Sequence, residues 1–287
     1  MHYESDHEKC ESEDHKLYAI REVSELTGVK PVTLRAWQRR YNLIKPQRTE
    51  KGHRLYTQGN IETIKSIQSW LAKGISIGKV KPLLESELIN NAGAGNQAST
   101  SPVLEDVDTL ISALASLNNG KAESIVSMVL KEYPLDIVTE QFVFPILDAL
   151  ELVKGPQRTI QKSLFQSIML TRLISIIEAE RKAAHKGKCL FVNLDPIGSI
   201  PAWLSCLKLS EMGFYMVMLD GVESVSALLK HETVTSFSHV HFFSNRALAD
   251  KQVAILISWM SHAEQEVSVS DVIDKLYLSS EEIASSD

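Results

Sequence analysis

Residues Pro31–Tyr56 read PVTLRAWQRRYNLIKPQRTEKGHRLY, and this stretch decides the fold of the module that holds it. Leu34 and Trp37 stand one helical turn apart and give the segment an apolar face, while Arg35, Arg39 and Arg40 fall on the other side. Beyond the helix, Lys45, Arg48, Lys51, His53 and Arg54 surround Glu50-Lys51-Gly52, which reads as the turn of a basic hairpin. Such a helix seats its apolar face on a small core and leaves guanidinium groups free for a duplex. With the hairpin as a wing, the pattern is that of a winged helix-turn-helix that binds double-stranded DNA.

The flanks fit that reading. Upstream, Ile20, Val23 and Leu26 repeat at helical spacing until Thr27-Gly28 breaks the run, as the turn between two short helices should. Pro31 suits the first position of the next helix, where its missing N–H costs nothing, although Lys30 is a poor N-cap. Downstream, Thr57 is a candidate cap for a helix bearing Ile61, Ile64, Ile67 and Leu71. A further helix from near Ser76 buries Ile77, Val80, Leu83 and Leu84, and Pro82 is expected to kink or shorten it.

Charge separates this module from the rest. The 287-residue chain carries a formal net charge of −6, yet residues 16–85 hold fourteen Lys/Arg against five Asp/Glu. That segment is therefore near +9 and the remainder near −15. A basic module on an acidic body suits a DNA-binding regulator whose bulk avoids phosphates. Cys10, Cys189 and Cys206 are too scattered for a disulfide framework or a zinc ribbon. Neither a signal peptide nor a membrane-length apolar run is seen, which places the protein in the cytoplasm.

The rest of the chain divides by pattern. Residues 1–16 read as a disordered acidic tail; His2, His7, Cys10 and His15 within it have no compact metal-site spacing. A Gly/Ala/Ser/Asn-rich linker covers 87–102, after the DNA-binding domain at 17–86. Helical periodicity fills 103–186 and predicts a four-helix bundle. Residues 187–287 alternate strand and helix: apolar runs at 189–194, 214–219 and 239–243, and one at 266–272, predict a doubly wound parallel sheet. The fold class is thus mainly α with an α/β C-terminal domain. Ligands of such sheets sit beyond the carboxyl ends of the strands, here near Asp195, Asp220 and Ser244. Asp195 and Asp220 lack a third polar partner or phosphate loop for enzyme chemistry, and His239 and His241 read as core rather than metal ligands.

The run Thr33–Tyr41, then Lys45-Pro46-Gln47-Arg48 and Gly52-His53-Arg54-Leu55-Tyr56, resembles the recognition helix and wing of MerR-family transcription regulators nearly position for position. The resemblance implies that Thr33 and Arg35 face the major groove and that Arg48, His53, Arg54 and Tyr56 face the flanking phosphates. Arg39 and Arg40 complete the DNA-binding set. The order of modules is similar to the branch that holds cobalamin-binding photoreceptors and MlrA-type regulators of biofilm and curli genes, and the helix wording is most similar to the latter. In the cobalamin binders, an acid, a spacer, a His, two residues and a Gly follow the first strand. Aligned on Gly198, this chain has Asn193 at the acid and Asp195 at the His, so the imidazole ligand is missing. Ser244 matches the family's serine, but Arg246 replaces an apolar residue and no Gly-Gly pair follows Asp271. Val153-Lys154 and Ser163-Leu164 stand where the bundle's ligand-capping Trp and Glu-His would be. No cofactor and no metal are expected.

The reading is therefore a non-enzymatic transcription activator, of biofilm or curli matrix genes by resemblance, that senses a partner or ligand through its C-terminal domains. Its expected partners are promoter DNA, a second copy of the chain, RNA polymerase and a regulatory protein, with no membrane. The rival reading is a cobalamin- or nucleotide-binding carrier or enzyme on the same α/β scaffold.

Overall fold

The computed structural model describes residues 16–89, 103–229 and 231–279, and the chain divides into two compact units, 1–162 and 163–287. Residues 1–15, with His2, His7, Cys10 and His15, and most of the expected linker at 87–102 lie outside the described residues.

The first unit begins with β1 (Tyr18–Ala19) and α1 (Ile20–Thr27), whose Glu22 carboxylate accepts the Ala19 N–H at 2.6 Å. Gly28 ends α1 at φ +70, a left-handed backbone that suits glycine, and donates its N–H to the Ser24 carbonyl at 2.8 Å. Helix α2 (Pro31–Tyr41) starts on Pro31, buries Thr33, Leu34 and Trp37, and stops at Asn42, itself left-handed at φ 52. Strands β2 (Gln47–Arg48) and β3 (Arg54–Tyr56) pair antiparallel with Arg48 opposite Arg54, and the Gly52 N–H closes the turn onto the Thr49 carbonyl at 2.8 Å. β1 pairs with the other edge of β3, giving the order β1-β3-β2. In α3 (Gln58–Ala72) Thr57 Oγ1 accepts the Asn60 N–H and Asn60 Oδ1 accepts the Thr57 N–H, each at 3.2 Å. This reciprocal cap fixes the start of the helix, and Ile61, Ile64, Ile67 and Leu71 form its buried stripe.

Helix α4 (Ile77–Ile89) continues past Pro82 for seven more residues, so the proline does not shorten it as expected. Only the bond to the Gly78 carbonyl is forfeited, the proline ring is exposed, and buried Ile77 and Val80 hold the first turn in place.

Four helical segments follow: α5 (Asp106–Ala115), α6 (Asn119–Glu132), α7 (Leu135–Val138) leading by a π-helical turn, Thr139–Val143, into α8 (Phe144–Leu152), and α9 (Pro156–Glu180), whose residues from Ser163 onward belong to the second unit. Asn118 separates the first two and caps α6, its Oδ1 accepting the Lys121 N–H at 3.1 Å. Pro145 has no N–H to give the Gln141 carbonyl, and that carbonyl accepts the Leu104 N–H instead, at 2.9 Å. Leu110, Leu114, Val126, Val129, Phe142, Ile146 and Leu150 are buried along these helices.

The second unit holds β4 (Lys188–Asn193), α10 (Ile200–Glu211), β5 (Tyr215–Leu219), α11 (Ser226–Leu229), β6 (His239–Phe243), α12 (Asp250–His262), β7 (Glu266–Val269) and α13 (Asp271–Ile273). All pairings are parallel and the strand order is β5-β4-β6-β7. The chain moves from β4 to β5 on one side and then to β6 on the other, so a crevice opens beyond Asn193. One face packs Leu190, Val192, Val240 and Phe242 against Leu256 and Trp259, with the Phe242 and Trp259 rings edge-on at 5.0 Å. The opposite register carries Cys189, Phe191, His239 and His241. Both histidines are buried and share the Ser268 hydroxyl at 2.7 Å each, while the His241 ring lies 5.0 Å from that of Phe191. They occupy core positions, and among the described residues no three His, Cys, Asp or Glu side chains converge to hold a metal ion. No helix among the described residues is long and apolar enough to cross a membrane.

Candidate nucleic-acid interface and sheet crevice

Helix α2 and the β2–β3 wing carry the candidate DNA contacts. Arg35 and Arg39 on the helix, and Arg48, Lys51 and His53 on the wing, are exposed. Arg54 is half-buried and donates from Nε to Gln38 Oε1 at 2.6 Å, which ties the wing to the helix. Arg40 behaves differently: its guanidinium pairs with the carboxylate of Glu132, the last residue of α6. Thr33 is 2% exposed and Tyr56 0%, so neither reaches solvent here, and burial pushes the Tyr56 hydroxyl above its ordinary pKa. The exposed candidates on helix and wing are therefore Arg35, Arg39, Arg48, Lys51 and His53, with Arg40 exposed but paired. Gln38 and Glu132 escaped the sequence reading, because a glutamine inside a basic helix and an acid 95 residues beyond Trp37 carry no local signal.

In the sheet unit the three expected ligand residues join one hydrogen-bond network without converging on one opening. Asp195, 7% exposed, accepts the Ser244 hydroxyl and the Asn245 N–H at 3.1 Å each, and the Arg246 Nε stands 3.5 Å away. Asp220 lies on the far side of Asn193, which donates to it at 2.6 Å and accepts the Asp195 N–H at 2.9 Å. Asp220 also receives the Gly198 N–H at 2.9 Å and the Trp203 indole N–H at 3.2 Å. A cavity of about 610 Å³ lies at the strand ends, lined by Asp195, Ile197, Gly221, Arg246 and Gln252 among others. Of the three expected residues only Asp195 lines it. Both carboxylates are thus occupied by the loops they hold, and no imidazole stands among the cavity's lining residues.

A basic reading helix, a basic wing tied to it, a helical segment and a parallel sheet with a cavity at its strand ends define a modular DNA-binding regulator. A sequence profile described as MerR HTH family regulatory protein matches residues 18–87. The chain is 30% identical to the HTH-type transcriptional regulator MlrA of Escherichia coli (strain K12) over 205 residues, 71% of this chain and 79% of that protein. The MlrA of Salmonella typhimurium (strain SL1344) matches at 30% over 203 residues, 71% and 79% of the two chains. The HTH-type transcriptional repressor CarH of Myxococcus xanthus matches at 26% over 214 residues, 71% of each. The chain belongs to the MerR family of transcriptional regulators.

Proposed function

We propose that the protein is a cytoplasmic, dimeric transcription activator that reads promoter DNA with α2 and grips flanking phosphates with the wing. The observation that carries this reading is the exposed row of Arg35, Arg39, Arg48, Lys51 and His53 on a module matched by the family profile. Winged and helix-turn-helix modules commonly read paired half-sites as dimers, and the pairing surface is assigned to the helical segment or the sheet. Resemblance to the MlrA proteins makes matrix genes the first targets to examine, with RNA polymerase and a regulatory protein as further partners.

The test is binding to a cognate duplex, selected from random sequence, across a salt series. Affinity should fall steeply with salt, as counterion release requires. Arg35→Ala should cost about 1–3 kcal/mol at the selected site and little on random duplex, as a base-edge contact does. Arg48→Ala should weaken both duplexes alike. Equal losses on both for Arg35→Ala would make it a phosphate contact, and one chain per duplex would remove the dimer.

The sheet domain is proposed to work without cobalamin and without catalysis, as a docking surface or a site for another ligand beside Asp195. Support comes from Asp195 itself: a carboxylate replaces the imidazole that would face cobalt, and it is already held by Ser244, Asn245 and Arg246. Purified protein mixed with adenosyl- or methylcobalamin should leave gel filtration colourless, and illumination should not change its DNA affinity. Co-elution near one equivalent would favour the rival carrier reading.

A further inference from the structure

One residue of the helical segment grips three residues of the reading helix. Trp37, Arg40 and Tyr41 lie at positions i, i+3 and i+4 and meet the same residue, so Arg40 stands beside Trp37 on α2 and not, as the charge pattern suggests, with Arg35 and Arg39 on the opposite side. The Trp37 indole N–H donates to the Glu132 backbone carbonyl at 2.7 Å, the Tyr41 hydroxyl donates to the Glu132 carboxylate, and Arg40 pairs with the same carboxylate. The grip continues on both sides. Tyr133 Oη accepts the Ile77 N–H at 3.2 Å, and the Gln141 amide donates to the Leu71 carbonyl at 3.1 Å.

The charges here are unequal in their surroundings. The Glu132 side chain is 1% exposed, whereas that of Arg40 is 58% exposed. A carboxylate held out of water needs a cation and hydrogen-bond donors, and leaving it unpaired is costly. Arg40 can be solvated wherever it goes, but Glu132 has given up its solvent for Arg40 and Tyr41. The other ionisable groups near this face are Asp106, Glu105 and Tyr133, none of which supplies a second cation; burial first, and Asp106 after it, raises the pKa of Tyr41. The guanidinium is therefore held by the member of the pair that cannot let go cheaply.

We infer that Glu132 acts as an internal stand-in for a DNA phosphate, keeping Arg40 on the helical segment and off the duplex. This rests on the DNA-binding reading and adds to it: the segment next to the DNA-binding module sets how many phosphates that module can engage. Arg40 then belongs to the latch, although its place in the basic run suggests a DNA contact. Glu132 is a positioning residue that acts on DNA affinity through Arg40.

Salt dependence on a random-sequence duplex tests this in the full-length protein. The pair variant Arg40→Gln/Glu132→Gln leaves no orphan charge, and it should keep the wild-type slope of log affinity against log salt. Glu132→Gln alone frees Arg40, so its slope should steepen by about 0.9 and its affinity should rise by roughly tenfold near 0.1 M salt. Adding Arg40→Gln to it should cancel the gain. A pair variant whose slope is about 0.9 shallower than wild type overturns the inference, because Arg40 would already sit on a phosphate. An unchanged slope for folded Glu132→Gln overturns it too. If Glu132→Gln melts before it can be assayed, the pair variant decides alone. A wild-type chain without affinity for any duplex would sink the DNA-binding reading itself, a result separate from either slope.

Discussion

Replacing Trp37 by alanine is expected to destabilise the first unit by about 3–5 kcal/mol, the usual cost of emptying a large aromatic site in a core. The indole is fully buried and its N–H satisfies the Glu132 carbonyl, so two losses coincide. Trp37→Phe separates them. It keeps most of the apolar volume and strands the carbonyl, at a cost of about 1–3 kcal/mol. Urea unfolding followed by far-UV circular dichroism measures both variants. A loss under about 1 kcal/mol for Trp37→Ala would show that the ring is not packed as described. The experiment also separates core from contact, since a residue that stacked on bases would lower DNA affinity without moving the unfolding midpoint.

The second large effect is on pH. Burial, helped by neighbouring His239, lowers the His241 pKa from 6.5 to about 4. Between those values the unfolded chain takes up a proton that the folded site refuses. Stability conferred by the neutral ring is therefore whole above pH 6.5, declines as pH falls, and is lost by about pH 4. A shift of that size corresponds to on the order of 3 kcal/mol. His241 Nδ1 shares the Ser268 hydroxyl with His239, and Glu266 approaches His239 at 3.3 Å, so these are the polar neighbours that bear on the site. His241→Phe keeps a ring against Phe191 and should flatten the difference in unfolding free energy between pH 6.5 and pH 4.5. Equal pH slopes for variant and wild type would mean that the buried imidazole is not what titrates.

The parts of the molecule that could be read from the sequence are those whose cause is local. Leu34 and Trp37 sit one turn apart, Gly28 must turn left-handed, Thr57 caps the next helix, and the apolar runs of β4 and β6 alternate with helical stretches. Each leaves a mark within a few residues. β1 leaves none, because a two-residue strand has no periodicity and exists only through its pairing with β3. Pro82 misleads for the opposite reason: its local cost is real but smaller than the burial of Ile77 and Val80 beside it. The Asn193–Asp220 and Asp195–Ser244 bonds of the crevice and the Trp37–Glu132 bond of the grip join residues 27 to 95 positions apart, and no short window on the chain holds both ends. Sequence alone could name Asp195, Asp220 and Arg40 as polar residues of interest. It could not tell that each already has its partner.

The two cysteines of the sheet unit carry a consequence of their own. Cys189 lies on β4 and Cys206 on α10, both buried, and burial pushes each thiol up to about 12. At neutral pH neither is a thiolate, and neither can meet an alkylating reagent while the sheet is closed. Among the described residues no other cysteine exists, and Cys10→Ser removes the remaining one. Iodoacetamide uptake by such a protein would then be a clock that ticks only when the sheet opens. The molecule thus contains a reporter for one of its two units, placed there by packing and silent about the other.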